Sequence, residues 1–123
     1  MSPEERRLIV CEPVEDVTVV SFVENRMLDE LNIKEVGDQL VDLVEKYDKK
    51  KILLNFANVE YMSSAALGKL ITLHNKAKAK GGQVRMCCIH PNIFEVFKIT
   101  QLDKLFLIHN TREEALEAFG VSA

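Results

Sequence analysis

The sequence predicts an α/β fold with a mixed, mostly parallel sheet of about five strands and about four helices. Three observations carry that prediction. Two strand-like runs, 7–13 and the valine-rich 16–24, stand back to back near the start, joined by a short segment. Further short apolar runs then alternate with helix-length amphipathic stretches, the pattern of right-handed parallel crossovers. The 123 residues contain no internal repeat, low-complexity tract or linker, so one domain spanning 1–123 is expected.

Each element has its own justification. "RLIVCEP" (7–13) reads as a strand ended by Pro13, and "DVTVVSFVE" (16–24) as its hairpin partner. The turn between them contains Glu15 and Asp16 but lacks an Asn-Gly or Asp-Gly pair. A helix follows, because Ile33, Val36, Leu40, Leu43, Val44 and Tyr47 form one apolar stripe. Asp38, Asp42, Glu45 and Lys46 fall opposite.

"KILLNFANV" (51–59) has a continuous apolar centre, so it reads as an interior parallel strand, flanked by the strands at 16–24 and 83–89. From Ala65 to Lys80 only Gly68 interrupts a run of helix-favouring residues. There Leu67, Leu70, Ile71, His74 and Ala77 share the buried face, and Lys69, Lys76 and Lys80 stay in solvent. Gly81 and Gly82 end that helix. "QVRMCCIH" (83–90) is the next strand, with Cys87 and Cys88 on opposite faces. Pro91 suits a first helical turn, and Ile93, Val96 and Phe97 continue that helix to about Thr100. "LFLIH" (105–109) is the last strand. Thr111 with Glu114 makes a capping box, and Ala115, Leu116 and Phe119 supply the buried side of the final helix. The helices are expected mainly on one side of the sheet.

Composition narrows the function. Apolar residues make up 47% and charged residues 28%, ordinary for a soluble globular chain. A net charge of -3 argues against nucleic acid as the main partner, and no tryptophan with 7% aromatics argues against a base-stacking surface. No run of about 18 apolar residues is present, so membrane insertion is not expected. The opening "MSPEERRLIV" lacks a signal peptide's apolar stretch, so a cytoplasmic protein is expected. Its three cysteines suit that compartment as thiols.

No catalytic constellation assembles, and no enzyme is predicted. His74, His90 and His109 fall in different elements. "CCIH" (87–90) lacks the spacing of a tetrahedral metal site, so neither a metal nor another cofactor is expected. Gly81-Gly82 follows a helix, whereas a phosphate-binding loop opens one. Ser64 is followed by Ala65 and Ala66, which is no nucleophile elbow.

The chemistry left over is a pair of serines at a strand-to-helix junction. One serine has a structural role, because its hydroxyl caps a first-turn N–H. The second then falls on the first helical position, at the positive end of the dipole, where a phosphate is electrostatically welcome.

The order of elements and the stretch from "NVEYMSSAALGKL" to "NTREEAL" resemble the STAS domains of bacterial anti-sigma factor antagonists. The resemblance runs from about Leu8 to Phe119 and is strongest from Leu53 to Leu116. In that family a strand ends in a tyrosine- and methionine-containing motif, an aspartate and a phosphorylated serine. Tyr61 and Met62 match; Ser63 takes the aspartate position and Ser64 the phosphoacceptor position. Ala65 and Ala66 replace a hydroxyl residue and a glycine, while Leu67 and Gly68 match. "ENRMLDELN" (24–32) departs from the family's glycine-containing turn. The resemblance implies a STAS-like fold and phosphorylation at Ser64, with Ser63 as the alternate. It implies a partner-binding surface of Tyr61, Met62, Ser63, Ser64, Ala65, Ala66 and Lys69. The implied partners are an anti-sigma factor that is also a serine kinase, and a metal-dependent serine/threonine phosphatase. Two other functions stay open: a non-switching subunit of a lipid-transport or scaffold complex, and a small enzyme or nucleotide-binding protein.

Overall fold

In a computed structural model, residues 8–121 are described. Arg7, expected to open the first strand, lies outside them, as do residues 1–6 and 122–123 of the expected domain. The chain begins with β1 (Ile9–Val14) and β2 (Val17–Phe22), an antiparallel hairpin with Val14 opposite Val17. Its two-residue turn places Glu15 at φ +54°, and Lys51 pairs with Asp16 at 2.8 Å. A two-residue strand β3 (Arg26–Met27) precedes α1 (Glu30–Glu45). Then come β4 (Lys51–Asn55), a second two-residue strand β5 (Tyr61–Met62) and α2 (Ser64–Ala79). The chain continues through β6 (Gln83–Cys87), α3 (Pro91–Ile99), a 3-10 turn (Leu102–Lys104), β7 (Leu107–His109) and α4 (Arg112–Ala118).

The main sheet has the order β1-β2-β4-β6-β7 and is parallel except for the opening hairpin. β4 lies at its centre between β2 and β6, as its apolar run predicts. Register sorts the side chains by face. Val20, Leu54 and Met86 align across three strands and join the core beneath α1, α2 and α3. Val19 and Leu53 align on the other face, where Ala115 of α4 and its C-cap residue Phe119 cover them. Ile52, Leu53 and Leu54 are all 0% exposed. Among the described residues no helix is long and apolar enough to cross a membrane.

Several expectations are corrected. Tyr47 does not continue the α1 stripe, because α1 is capped at Lys46, and the ring is 57% exposed. β4 stops at Asn55, whose side-chain oxygen accepts from the N–H of Ala57 and so turns the backbone out of the strand. On α2, Leu73 and Ala66 are buried while Ile71 and His74 are only half-buried, so the buried face is rotated from the predicted stripe. Lys69 and Lys76 are half-buried, not fully solvated. The stem of Lys69 crosses Gly37 on α1, and Lys76 pairs with Glu45 at 3.3 Å. Cys88 does not take the opposite face from Cys87. β6 ends at Cys87, Cys88 adopts φ +61°, and it packs on the same cluster beneath α4.

The histidines serve separate structural ends. His90 caps α3, its Nδ1 accepting from the N–H of Asn92 at 3.1 Å. His109 Nε2 accepts from Arg85 at 3.1 Å, and burial with Arg85 beside it holds its pKa below the usual range. His74 stands edge-on to Phe106, with ring centroids 5.7 Å apart, and its Nδ1 is buried without a partner among the described residues. Burial and the nearby Lys78 depress its pKa.

A pH prediction follows from His74. The unfolded chain takes up this proton near a pH of about 6.5, the folded chain only at lower pH. Stability from the neutral ring is therefore complete above that value and is lost as pH falls towards the folded pKa. Denaturant midpoints should drop on acidification below neutrality, and His74→Leu should drop less. An equal drop in both proteins would show that this ring does not contribute.

Candidate functional site

The path from β4 to α2 builds the serine junction. After Asn55 the chain loops over the end of the sheet, where Asn58 Nδ2 donates to the carbonyls of Phe22 and Val23 at 3.0 and 3.1 Å. Phe56 and Val59 bury beneath that loop, at 0% and 1% exposure. The N–H of Glu60 donates to Asn25 O at 2.8 Å, which starts the short parallel pairing of β5 with β3. The backbone is thus held on both sides before the serines are reached.

Ser63 is the N-cap of α2. Its backbone is extended, at φ -84° and ψ 168°, and its Oγ accepts from the N–H of Ala66 at 3.3 Å. Its own N–H donates to Met27 O at 3.0 Å, so β3 fixes the cap from outside the helix. Sequence patterning missed this contact, because a two-residue strand has too few positions to show a period. Ser64 occupies the first helical position and is exposed. The first turn contains no acidic residue, so the positive end of the dipole is not neutralised from within the helix.

The other predicted site residues divide. Tyr61 is 42% exposed, with the Arg26 guanidinium over its ring at 4.9 Å. Met62 is half-buried and Ala65 exposed, so both reach the surface beside Ser64. Ala66 is 3% exposed and faces the core, so it presents no surface to a partner. Lys69 lies one turn further on, its stem against α1. Gly68 completes the exposed side: a Cβ placed there would meet nothing within 4 Å. No internal contact calls for glycine in this helix, where it costs about 1 kcal/mol relative to alanine.

On the other face of the sheet, burial pushes the Cys87 thiol well above its usual range. Among the described residues no group of three or more histidine, cysteine, aspartate or glutamate side chains could hold a metal ion.

The STAS domain family profile matches residues 9–115. The chain is 24% identical over 83 residues to a protein named anti-sigma F factor antagonist from Paenibacillus polymyxa, covering 68% of this chain and 71% of that one. An anti-sigma-factor antagonist (STAS) domain protein from Planctomyces limnophilus superposes with a TM-score of 0.78 at 26% identity, covering 89% of this chain and 95% of that one. The Bacillus cell fate determinant SpoIIAA, solved in its phosphorylated form, superposes with a TM-score of 0.69 over 90% of this chain and 98% of its own. At 17% identity that likeness is one of fold alone.

The two serines should separate on mutation. Ser63→Ala removes the cap and should cost about 0.5–2 kcal/mol. Ser64→Ala removes no hydrogen bond to the rest of the protein and should leave the urea midpoint nearly unchanged. Equal losses in the two variants would show that both hydroxyls are structural.

Proposed function

Because the chain belongs to the STAS domain family, we propose that it is an anti-sigma factor antagonist, a cytoplasmic binding module that performs no catalysis itself. Unphosphorylated, it holds an anti-sigma factor that is also a serine kinase, and so releases a sigma factor. Phosphorylation of Ser64 ends that complex, and a serine/threonine phosphatase restores it. The observation that carries this reading is the division of labour at the junction. Ser63 is engaged as the cap, while Ser64 is exposed at the first position of α2.

The physical logic is local. A phosphate on Ser64 adds roughly -1.5 to -2 charges at neutral pH. The helix end already favours an anion, so the fold tolerates it. A partner covering that surface must strip the phosphate of water, which disfavours the complex. The binding surface comprises Tyr61, Met62, Ser63, Ser64, Ala65 and the accessible part of Lys69. Gly68 extends it, and its missing side chain lets a partner's backbone approach closely.

Incubation with the native kinase and ATP, followed by mass spectrometry of the peptide carrying both serines, tests the assignment. Label is expected on Ser64. Ser64→Ala should stay in the partner-bound state, and Ser64→Asp should bind more weakly. Label on Ser63 alone would exchange the two roles. Absence of label with binding intact would favour a non-switching subunit of a transport or scaffold complex.

Gly68→Ala gives a second test. It should raise stability by up to about 1 kcal/mol through helix propensity yet weaken the partner complex in titration calorimetry. Stabilisation with unchanged affinity would remove α2's exposed side from the binding surface.

A further inference from the structure

Beside the serines lies an open cleft of about 160 Å³. Its walls are largely apolar: Leu28, Met62, Leu67, Ile93 and Val96 contribute, and Glu60 is the one charged residue among those lining it. Leu28 is 52% exposed, so the cleft opens to solvent on that side. An engineered cavity of about 150 Å³ with comparable walls takes up one benzene molecule. This cleft therefore has room for one leucine-, isoleucine- or methionine-sized side chain.

A strand edge runs along it. The N–H of Tyr61 donates to Asn25 O at 3.4 Å and that of Ser63 to Met27 O at 3.0 Å, both towards β3. Alternation along β5 turns the N–H and C=O of Met62 the other way, away from β3, and Tyr61 and Met62 both line the cleft. Among the described strands β5 pairs with β3 alone. A strand edge accepts an extended backbone, and an apolar hollow beside it accepts a side chain from that backbone. Both features call for the same occupant.

We propose that this cleft docks one extended, uncharged segment of the protein partner, its main chain bonded to Met62 and one aliphatic side chain in the hollow. That the partner is the kinase rests on the function proposed above; the chemistry of the cleft does not. The segment is uncharged because the walls offer no counter-charge except Glu60 at the exposed rim. Leu67 belongs to the first turn of α2, so a docked segment passes close to Ser64. A phosphate there would face an uncharged chain that takes away its water and gives no cation in return. The cleft thus supplies a reason for phosphorylation to release the partner.

Selection of short random peptides displayed on phage against the wild-type protein tests this. The selected peptides should share one aliphatic position, and their binding should slow hydrogen exchange at the Met62 amide. Val96→Phe fills the hollow and should weaken peptide binding by about tenfold or more. Leu28→Asp, at an exposed rim position, should do the same without disturbing the core, and circular dichroism confirms that both variants are folded. Lys80→Ala, at the opposite end of α2, should bind like wild type. The proposal is overturned if no peptide is selected, if both cleft variants bind undiminished, or if Met62 exchange is unchanged. Self-association in sedimentation that Val96→Phe abolishes would also overturn it, by placing a second copy in the cleft. Loss of Ser64 labelling would not touch this result, and failed peptide selection would leave Ser64 labelling standing.

Discussion

The structure depends on β4 being covered on both faces. Ile52, Leu53 and Leu54 are each 0% exposed, and such burial requires paired neighbours along both edges and helices above and below. Parallel pairing with β2 and β6 satisfies the backbone, and a parallel neighbour can be reached only by a crossover. The helices α1 and α2 are those crossovers, and both pack on one face, while α4 closes the other. The serine junction is a product of the same constraint. Once β4 ends at Asn55, the chain must leave the sheet at its carboxyl end and start α2 there.

How legible each part was follows from how many residues encode it. The strands of the main sheet and the four helices announce themselves through apolar runs or stripes, although the last run, 105–109, yields only the three-residue β7. The cap at Ser63 was legible because capping chemistry is local, needing only a hydroxyl before a helical run. The β3–β5 pair was not. Each strand has two residues, and its partner lies more than thirty positions away, so pairing is decided by tertiary contact. The same holds for Lys69, whose stem lies where Gly37 leaves space on a different helix. Tyr47 failed in the opposite direction: its spacing fits the stripe, but the helix ends before it. Cys88 shows a third kind of failure, since strand alternation holds only while the strand continues, and φ +61° ends it.

The two ends of α2 are fastened by different means. At the start, Ser63 supplies the cap and is itself tied to β3. At the far end Gly81, at φ +79°, lets the N–H of Gly82 reach Ala77 O at 2.8 Å and its own N–H reach Lys78 O at 3.1 Å. Lys50 Nζ then donates to Lys80 O at 2.7 Å. Gly82 sits so close to Lys50 that a Cβ would lie 2.7 Å from its carbonyl oxygen. A helix held at both ends and buried along Leu67, Leu70, Leu73 and Ala77 has little freedom to shift as a body. The phosphate proposed at Ser64 would therefore act as a change of surface chemistry, without a rearrangement of the fold.

That conclusion turns on the two serines being neighbours with separate duties. Ser63 is extended and Ser64 is helical, so the change of backbone conformation between them lets the two side chains take different directions. Ser63 directs its oxygen along the helix axis to Ala66, and its half-buried position leaves that bond protected. Ser64 directs its hydroxyl outward. Were one serine to do both jobs, each phosphorylation would rebuild the start of the helix, coupling the switch to stability. With two, the cap would persist whether or not Ser64 carried the proposed phosphate, and the surface alone would change. The alanines that follow fit the same division. Ala66 is buried beneath the first turn, whereas Ala65 keeps the outer surface low beside Ser64. An exposed side chain kept small on both sides, at Ala65 and at Gly68, is what a hydroxyl needs if a second protein is to reach it.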